Sequence, residues 1–333
     1  MAIAGAGGCS PASTSALPAG TPTSTSPTVL PSAAPTPIAS PTPIASPTPI
    51  PTVTPAPTAT PTPTVPRPAS ALPKVNSCDP QSVPGSVTQT APAVPGKSFV
   101  LHVPVLMYHR IVPVAEASGS NGGLVVPPTT FDKQVTALAN AGWKTITAAT
   151  LAHDLASRIR PPAKSFVITF DDGWADGFKY AFPILRKHGF VASYYVISER
   201  IDQPGFLSSA ELQALVASGN EIGDHTVSHK SLPSQAPSDL KTQVDQAASR
   251  IAQVTGQWPV SLAYPYGRKS TKVLAGVAAC PVLQIAFLES SRPSSSGGAP
   301  VQSTETWADR FVTPRIRVSA GLAPSSLLRY VGN

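Results

Sequence analysis

The chain has 333 residues, of which 40 are proline, 12% are charged and 6% are aromatic, with a formal net charge of +7. Nineteen prolines precede residue 74 and no charged residue precedes Arg67, so the composition excludes a single uniform globular domain. No run of 18 apolar residues occurs, which argues against a spanning helix. The net charge favours anionic surroundings such as wall polymers and is too diffuse to indicate nucleic acid.

The chain opens with residues 1–10, which end in Gly-Gly-Cys-Ser. This junction resembles the end of a bacterial lipoprotein signal, with Cys9 as the lipid-bearing residue, although the basic and apolar regions of such a signal are missing. Residues 11–97 form a Pro/Thr/Ser-rich stretch that repeats the unit Pro-Thr-Pro-Ile-Ala-Ser. Because proline fixes φ and lacks an amide donor, we expect a disordered, extended linker. The alternatives are an incidental Cys9 and a linker without a tethering role.

The remaining two cysteines, Cys78 and Cys280, form an even pair if Cys9 carries lipid, as an exported protein would allow. A bridge between them would fasten the end of the arm to the body. Two unpaired thiols are the alternative that the sequence leaves open.

Strand-like and helical segments alternate along the body, residues 98–333. We expect a helix over 176–188 that ends at Gly189, a capping box at Ser208 and Glu211, and a long helix that Ser238 caps and Gly256 ends. The expected strands are Ser165–Phe170, 191–197, 221–223, 260–263, 283–288 and 315–318. This alternation predicts a parallel sheet, at whose carboxyl strand ends the reactive residues gather.

Three polar clusters follow predicted strands. The first cluster, Asp171 and Asp172, directly follows the predicted strand Ser165–Phe170. Neighbouring side chains on an extended backbone point apart, so one carboxylate can bind a cation while the other accepts or donates protons. His225 and His229 reach a common point if the segment turns, and imidazoles with one carboxylate suit Zn²⁺. The turn around Tyr266 can aim a backbone amide at a reacting oxygen. Each cluster alone is commonly only a turn or a cap, so the evidence lies in their combination.

Together these motifs resemble the polysaccharide deacetylases, the carbohydrate esterase family 4 or NodB-homology group. Segments 104–109, 131–143 and 314–318 are similar to its branch that deacetylates poly-β-1,6-N-acetylglucosamine. The resemblance spans residues 100–320 and implies an α/β fold, a distorted (β/α)7-type barrel, as the catalytic domain. It also implies one divalent transition metal, Zn²⁺ first, with Co²⁺ or Ni²⁺ as alternatives.

The resemblance implies a role for each site residue. Asp171 would be the general base, and the backbone amide of Tyr266 would stabilise the oxyanion. The metal ligands would be Asp172, His225 and His229.

Two departures from the family pattern concern residues that support the chemistry. No Arg precedes Tyr264 where many members have one, and Arg315 is the expected substitute. No His follows His229, so the late histidine that serves as general acid is missing. Apart from His225 and His229, only His109 of the six histidines follows a predicted strand. In the resembled branch, the histidine at the corresponding position takes the place of the missing late histidine. We therefore expect His109 to be the general acid; a histidine at the rim without a role is the alternative.

The expected function is removal of N-acetyl groups from an N-acetylglucosamine polymer or peptidoglycan by an exported, metal-dependent hydrolase. An O-acetyl xylan esterase with the same centre and a non-catalytic, stalked wall-glycan-binding module are the alternatives. The expected partner is an acetylated polysaccharide and not nucleic acid. We expect the protein outside the cell or in the cell envelope, with a lipid anchor on Cys9. The expected oligomeric state is a monomer.

Overall fold

The computed structural model describes residues 72–89, 99–117, 123–289 and 304–332. Its strands are β1 Val100–His102, β2 Val105–Tyr108, β3 Arg110–Ile111, β4 Val125–Val126, β5 Lys144–Thr145, β6 Ser165–Phe170, β7 Ser193–Val196, β8 Glu221–Asp224, β9 Ser261–Ala263, β10 Ile285–Phe287, β11 Thr304–Thr306 and β12 Ile316–Arg317. Its α-helices are α1 Pro128–Asn140, α2 Ala148–Ser157, α3 Phe182–Lys187, α4 Ser209–Ala217, α5 Pro237–Thr255, α6 Thr271–Ala278 and α7 Pro324–Val331. The expectations for residues 1–71, including Cys9, lie outside the described residues.

One parallel sheet carries the fold. Its strands lie in the order β10-β9-β8-β7-β6-β2-β12, and β5 pairs with the first two residues of β6. The sheet curls into a half-barrel, and an isolated parallel bridge joins Phe287, the last residue of β10, to Thr313, which precedes β12. Seven helices accompany this sheet in the described residues, which confirms the predicted α/β barrel of the NodB type.

Two short pairings lie beside the barrel sheet. Strands β1 and β11 pair antiparallel, whereas β3 and β4 pair parallel. Among the helices of the described part, none combines the length and apolarity that crossing a bilayer requires.

The central strands are buried, and the apolar residues that burial requires are the pattern from which the sequence predicts these strands. Strand β6 has the predicted bounds and all six of its residues are buried, as expected for a parallel strand covered on both faces. Strand β8 extends one residue beyond its predicted end, and the other predicted strands of the sheet are real but shorter at one or both ends. Helix α4 has the predicted capping box between Ser208 and Glu211.

Two helix predictions need correction. Helix α5 begins at Pro237 with Ala236 as its N-cap, so Ser238 lies inside the first turn and does not cap it. Proline suits that first position because its fixed φ is already helical. The segment predicted as one helix over 176–188 instead starts with a π-helical turn, Gly177–Ala181, and continues as α3.

Residues 72–89, which the sequence assigned to the linker, pack on the body. Cys78 forms a disulfide with Cys280, which is one of the two alternatives that the sequence leaves open. Val83 is buried, and Val87 makes a parallel bridge with Gln257 after α5. The folded part therefore begins well before residue 98.

Candidate active site

The carboxyl ends of the barrel strands bring the predicted site residues together. A single cavity of about 200 Å³ lies at these ends. It is lined by residues that follow β2, β6, β8 and β9 and by one residue that precedes β12. Those residues are His109, Asp171, Asp172, His225, His229, Tyr266 and Arg315. All seven predicted site residues thus lie in one place, although they span more than 200 positions of the chain.

Asp172, His225 and His229 form a compact set of donor atoms. Oδ1 of Asp172 lies 3.5 Å from Nε2 of His225 and 3.6 Å from Nε2 of His229. Nδ1 of His225 lies 2.7 Å from the carbonyl oxygen of Ala263. That carbonyl accepts a hydrogen bond from a protonated Nδ1, so the lone pair of Nε2, on the side of Asp172, is left for a metal.

This set fits a divalent transition metal. Its three donor atoms lie within 4.8 Å of one another. Donors about 2.0–2.2 Å from a common zinc ion are separated by roughly 3–4 Å, which the two Asp172–histidine distances satisfy. Two imidazoles and one carboxylate also leave positions for water and substrate.

The charges of this cluster are strongly coupled. Burial lowers the pKa of His225, but Asp172 and Asp171 outweigh burial, so the pKa lies above its ordinary value. Burial and the charge of His225 lower the pKa of His229 to about 4. Burial raises the pKa of Asp172, but the neighbouring histidines reverse this and hold it well below its usual range. The shifts of Asp172 and His229 favour the carboxylate and the neutral imidazole, the forms that bind a metal, whereas at His225 a metal competes with a proton.

The backbone around the ligands adopts left-handed conformations. Asp172 has a φ of 73°, Thr226 of 68°, His229 of 55° and Tyr266 of 59°. Such angles are unfavourable for side chains other than glycine and are retained where the surroundings enforce them, often at functional sites. Three of these four residues, Asp172, His229 and Tyr266, line the cavity.

Asp171 has a different environment from Asp172. Arg315 donates two parallel hydrogen bonds of 2.7 Å to the two carboxylate oxygens of Asp171. The same guanidinium donates to Oγ1 of Thr169 and to the carbonyl oxygen of Leu288, and Arg315 is only 1% exposed. The predicted substitute guanidinium therefore contacts the predicted base.

Arg315 also sets the charge of Asp171. Burial raises the pKa of Asp171, but the charges of Arg315 and His225 more than offset burial, so the pKa lies below its ordinary value. Asp171 is consequently a carboxylate at neutral pH, held in a fixed orientation by a bidentate pair.

His109 and Tyr266 complete the cavity. Burial is the main cause that lowers the pKa of His109, and the charges of Asp171 and Asp172 act in the opposite direction. The Tyr266 ring is 55% exposed and lies 4.6 Å from the His229 ring, measured between centroids. At Gly267 a Cβ would lie 2.6 Å from the backbone nitrogen of Glu289, so only glycine fits this turn.

Three residues of the site escaped the sequence analysis. Nε1 of Trp174 donates to Oδ2 of Asp172 at 3.1 Å, and Arg317 pairs with Glu289 at 2.8 Å on the cavity wall. The positions of two of them offered a signal, because Trp174 follows the Asp-Asp-Gly turn and Glu289 follows a predicted strand. An aromatic residue or a lone charge at such places is usually structural, so neither stood out.

Comparisons with known proteins agree with this geometry. Residues 158–285 match the family model described as Polysaccharide deacetylase. The putative polysaccharide deacetylase YxkH of Bacillus subtilis is 25% identical over 229 residues, which is 69% of this chain and 76% of that protein. The peptidoglycan-N-acetylglucosamine deacetylase PgdA of Listeria monocytogenes is 25% identical over 122 residues, 36% of this chain but only 25% of PgdA.

A solved structure extends the comparison to the whole body. The Streptococcus pyogenes deacetylase PplD, in complex with acetate, has a TM-score of 0.62 and 23% identity, and the match covers 70% of this chain and 99% of PplD. At that identity the likeness concerns the fold. Residues 158–285 thus match the polysaccharide deacetylase family model, and the barrel and the assembled strand-end motifs agree with that match.

Proposed function

We propose that the protein is an exported, metal-dependent hydrolase that removes N-acetyl groups from a polysaccharide containing N-acetylglucosamine. The observation that carries the proposal is the pairing of two centres in one cavity. The ligand set Asp172, His225 and His229 lies beside Asp171, which Arg315 holds as a carboxylate. A protein that only binds glycans needs no such combination.

The residues divide the reaction between them. A divalent metal, when bound, would polarise the acetamide carbonyl and lower the pKa of a water molecule. Asp171 takes the proton of the attacking water, and Arg315 keeps its carboxylate in place. The backbone N–H of Tyr266 donates to the oxyanion of the tetrahedral intermediate.

Collapse of that intermediate breaks the bond between carbon and nitrogen. His109 gives a proton to the departing nitrogen, so the products are acetate and a free amine on the sugar. An amine is too basic to leave readily without this proton. His109 lines the same cavity as Asp171 and Asp172 and carries the general-acid role in this proposal.

Two observations support the proposed substrate class. The matched family is described by its action on polysaccharides, and the name of the Listeria relative specifies N-acetylglucosamine of peptidoglycan. The sequence segments around His109 and Arg315 resemble the branch that acts on poly-β-1,6-N-acetylglucosamine. We therefore propose one of these two polymers, with the acetamido group as the reacting group.

Export and anchoring are part of the proposal. The disulfide between Cys78 and Cys280 supports an oxidising compartment, because such bonds are rare where thiols are kept reduced. Lipid on Cys9, followed by the Pro/Thr-rich linker, would hold the catalytic body at the outer face of a membrane. We propose that the body acts there as a monomer.

Acetate release from a defined panel tests the proposal. The panel holds N-acetylglucosamine oligomers of β-1,4 and β-1,6 linkage, peptidoglycan and acetylated xylan, and the matched control is Asp171→Asn. We expect the wild-type protein, but not the variant, to release acetate from an N-acetylated member. Release from xylan alone would make it an O-acetyl esterase, and glycan binding without any release would make it a binding module.

A further inference from the structure

We propose that Trp174 is a positioning residue that fixes the carboxylate of Asp172 so that a single oxygen faces the metal. This inference rests on the metal site of the proposed function. Nε1 of Trp174 donates to Oδ2 of Asp172 at 3.1 Å. The other oxygen, Oδ1, is the one that faces the two histidine nitrogens. The indole N–H therefore engages Oδ2, the carboxylate oxygen that would otherwise compete with Oδ1 for the metal.

The indole itself is held on both faces. Its ring stacks on Phe206, with centroids 4.5 Å apart and planes inclined by 22°. The guanidinium carbon of Arg110 lies 4.3 Å from the centroid of the indole ring. A ring clamped between an aromatic plane and a guanidinium cannot turn its N–H away without breaking both contacts.

Arg110 is anchored in turn. Its Nε donates to Oδ2 of Asp176 at 2.7 Å, and Oδ1 of Asp176 accepts from the backbone N–H of Ile111 at 3.1 Å. Arg110 and Asp176 are both buried. A continuous set of contacts thus runs from Asp176 through Arg110 and Trp174 to the metal-facing carboxylate.

Asp172 has a particular need for such support. It lies in a left-handed backbone conformation, with a φ of 73°, and Gly173 follows with a φ of 74°. Its side chain is 16% exposed, so solvent competes for any oxygen that is not already bonded. The indole N–H supplies the missing donor and selects one rotamer of the carboxylate.

The substitution Trp174→Phe tests the proposal because it removes the N–H but keeps a ring between Arg110 and Phe206. Partners behind a metal ligand typically contribute 10–100-fold to metal affinity. We expect the full chain with Trp174→Phe to bind Zn²⁺ about 10-fold or more weakly in competition with a chromogenic chelator. The Co²⁺-loaded variant should also show an altered visible absorption spectrum, because the carboxylate can turn.

Trp143→Phe is the matched control. Trp143 is 6% exposed and stacks edge-on against Phe166, and its Nε1 has no partner among the described residues. We expect its Zn²⁺ affinity and Co²⁺ spectrum to equal those of the wild type. A merely structural role of Trp174 would lower the melting temperature without changing the spectrum of the folded protein.

A second variant keeps the proposal testable if Trp174→Phe does not fold. Phe206→Leu removes one face of the clamp and leaves the N–H, so we expect a smaller but measurable loss of Zn²⁺ affinity. Wild-type affinity and spectrum in the folded Trp174→Phe protein, or in Phe206→Leu when only that variant folds, would overturn the proposal. A wild-type protein that binds no metal would instead contradict the proposed function itself.

Discussion

Asp171 and Asp172 are neighbours in the chain but have different partners. Asp171 makes a bidentate pair with Arg315, whereas Asp172 faces His225 and His229. This division follows from their positions, because Asp171 continues β6 and Asp172 has the left-handed φ that turns its side chain away. The proposed proton acceptor and the proposed metal ligand thus have separate surroundings.

Exchanging each carboxylate for an amide tests this separation. Asp171→Asn keeps the shape but cannot accept a proton, so we expect turnover to fall by about 10²–10⁴ while the metal content persists. Asp172→Asn should lose most of its metal. Acetate release and elemental analysis of the same samples measure both effects. A variant at Asp171 without metal and one at Asp172 with metal would reverse the two roles.

The general acid can be tested through the leaving group. His109→Ala should lower turnover of acetamide substrates by about 10² or more, because the departing amine then lacks its proton. Aryl acetates should be affected much less, since a phenolate leaves unaided. Steady-state rates on both substrate types, with metal content as the control, measure this. Equal losses on both, accompanied by metal loss, would make His109 a structural or ligand residue.

At the scale of elements, the two ends of the barrel have different tasks. The reactive residues follow the carboxyl ends of the strands, and a buried network lies at the opposite end. Glu221, at the start of β8, accepts hydrogen bonds from Ser193 Oγ, Ser261 Oγ and the backbone N–H of Ala149. One carboxylate thereby joins β7, β8, β9 and the first turn of α2, which indicates a role in stability.

Removing this carboxylate should destabilise the barrel without changing its chemistry. Glu221→Ala leaves three buried donors without their acceptor, at about 1–3 kcal/mol each, so we expect the free energy of unfolding to fall by about 3 kcal/mol or more. Urea denaturation followed by circular dichroism measures this, with exposed Glu199→Ala as the control. A stability equal to that of the control would show that the network does not support the fold.

Local signals in the sequence were sufficient for the barrel and for most of the site. The apolar run of β6 predicts a strand, and the polar residues directly after it predict that reactive residues lie at the end of this strand. The pairing of Arg315 with Asp171 joins residues 144 positions apart, so only the family resemblance pointed to it. Trp174 was missed because an aromatic residue after such a turn is usually structural, and because Arg110, which contacts its ring, comes from β3.

At the scale of the whole molecule, the end of the arm is part of the folded body. Composition alone placed the boundary at residue 98, since the proline-rich bias fades gradually. The structure instead fastens Cys78 to Cys280 across 202 positions and buries Val83. The body is thus fixed covalently just beyond the linker that we propose as its tether.

This fastening should be measurable. Replacing both Cys78 and Cys280 by serine removes the disulfide, a loss that typically costs about 2–5 kcal/mol of stability in small secreted domains. We expect wild-type protein to melt at a lower temperature in the presence of a reductant, and the double variant to be insensitive to it. A wild-type melting temperature that the reductant leaves unchanged would contradict a stabilising bridge.

We propose that Asp172, His225 and His229 hold the metal on which acetate release depends. Acetate release from an N-acetylglucosamine oligomer by the wild-type protein should be measured before chelation, after removal of metal, and after Zn²⁺ is returned. We expect activity, loss of activity and recovery, with no recovery in His225→Ala or His229→Ala. Full activity of a sample shown by elemental analysis to be free of metal would contradict it.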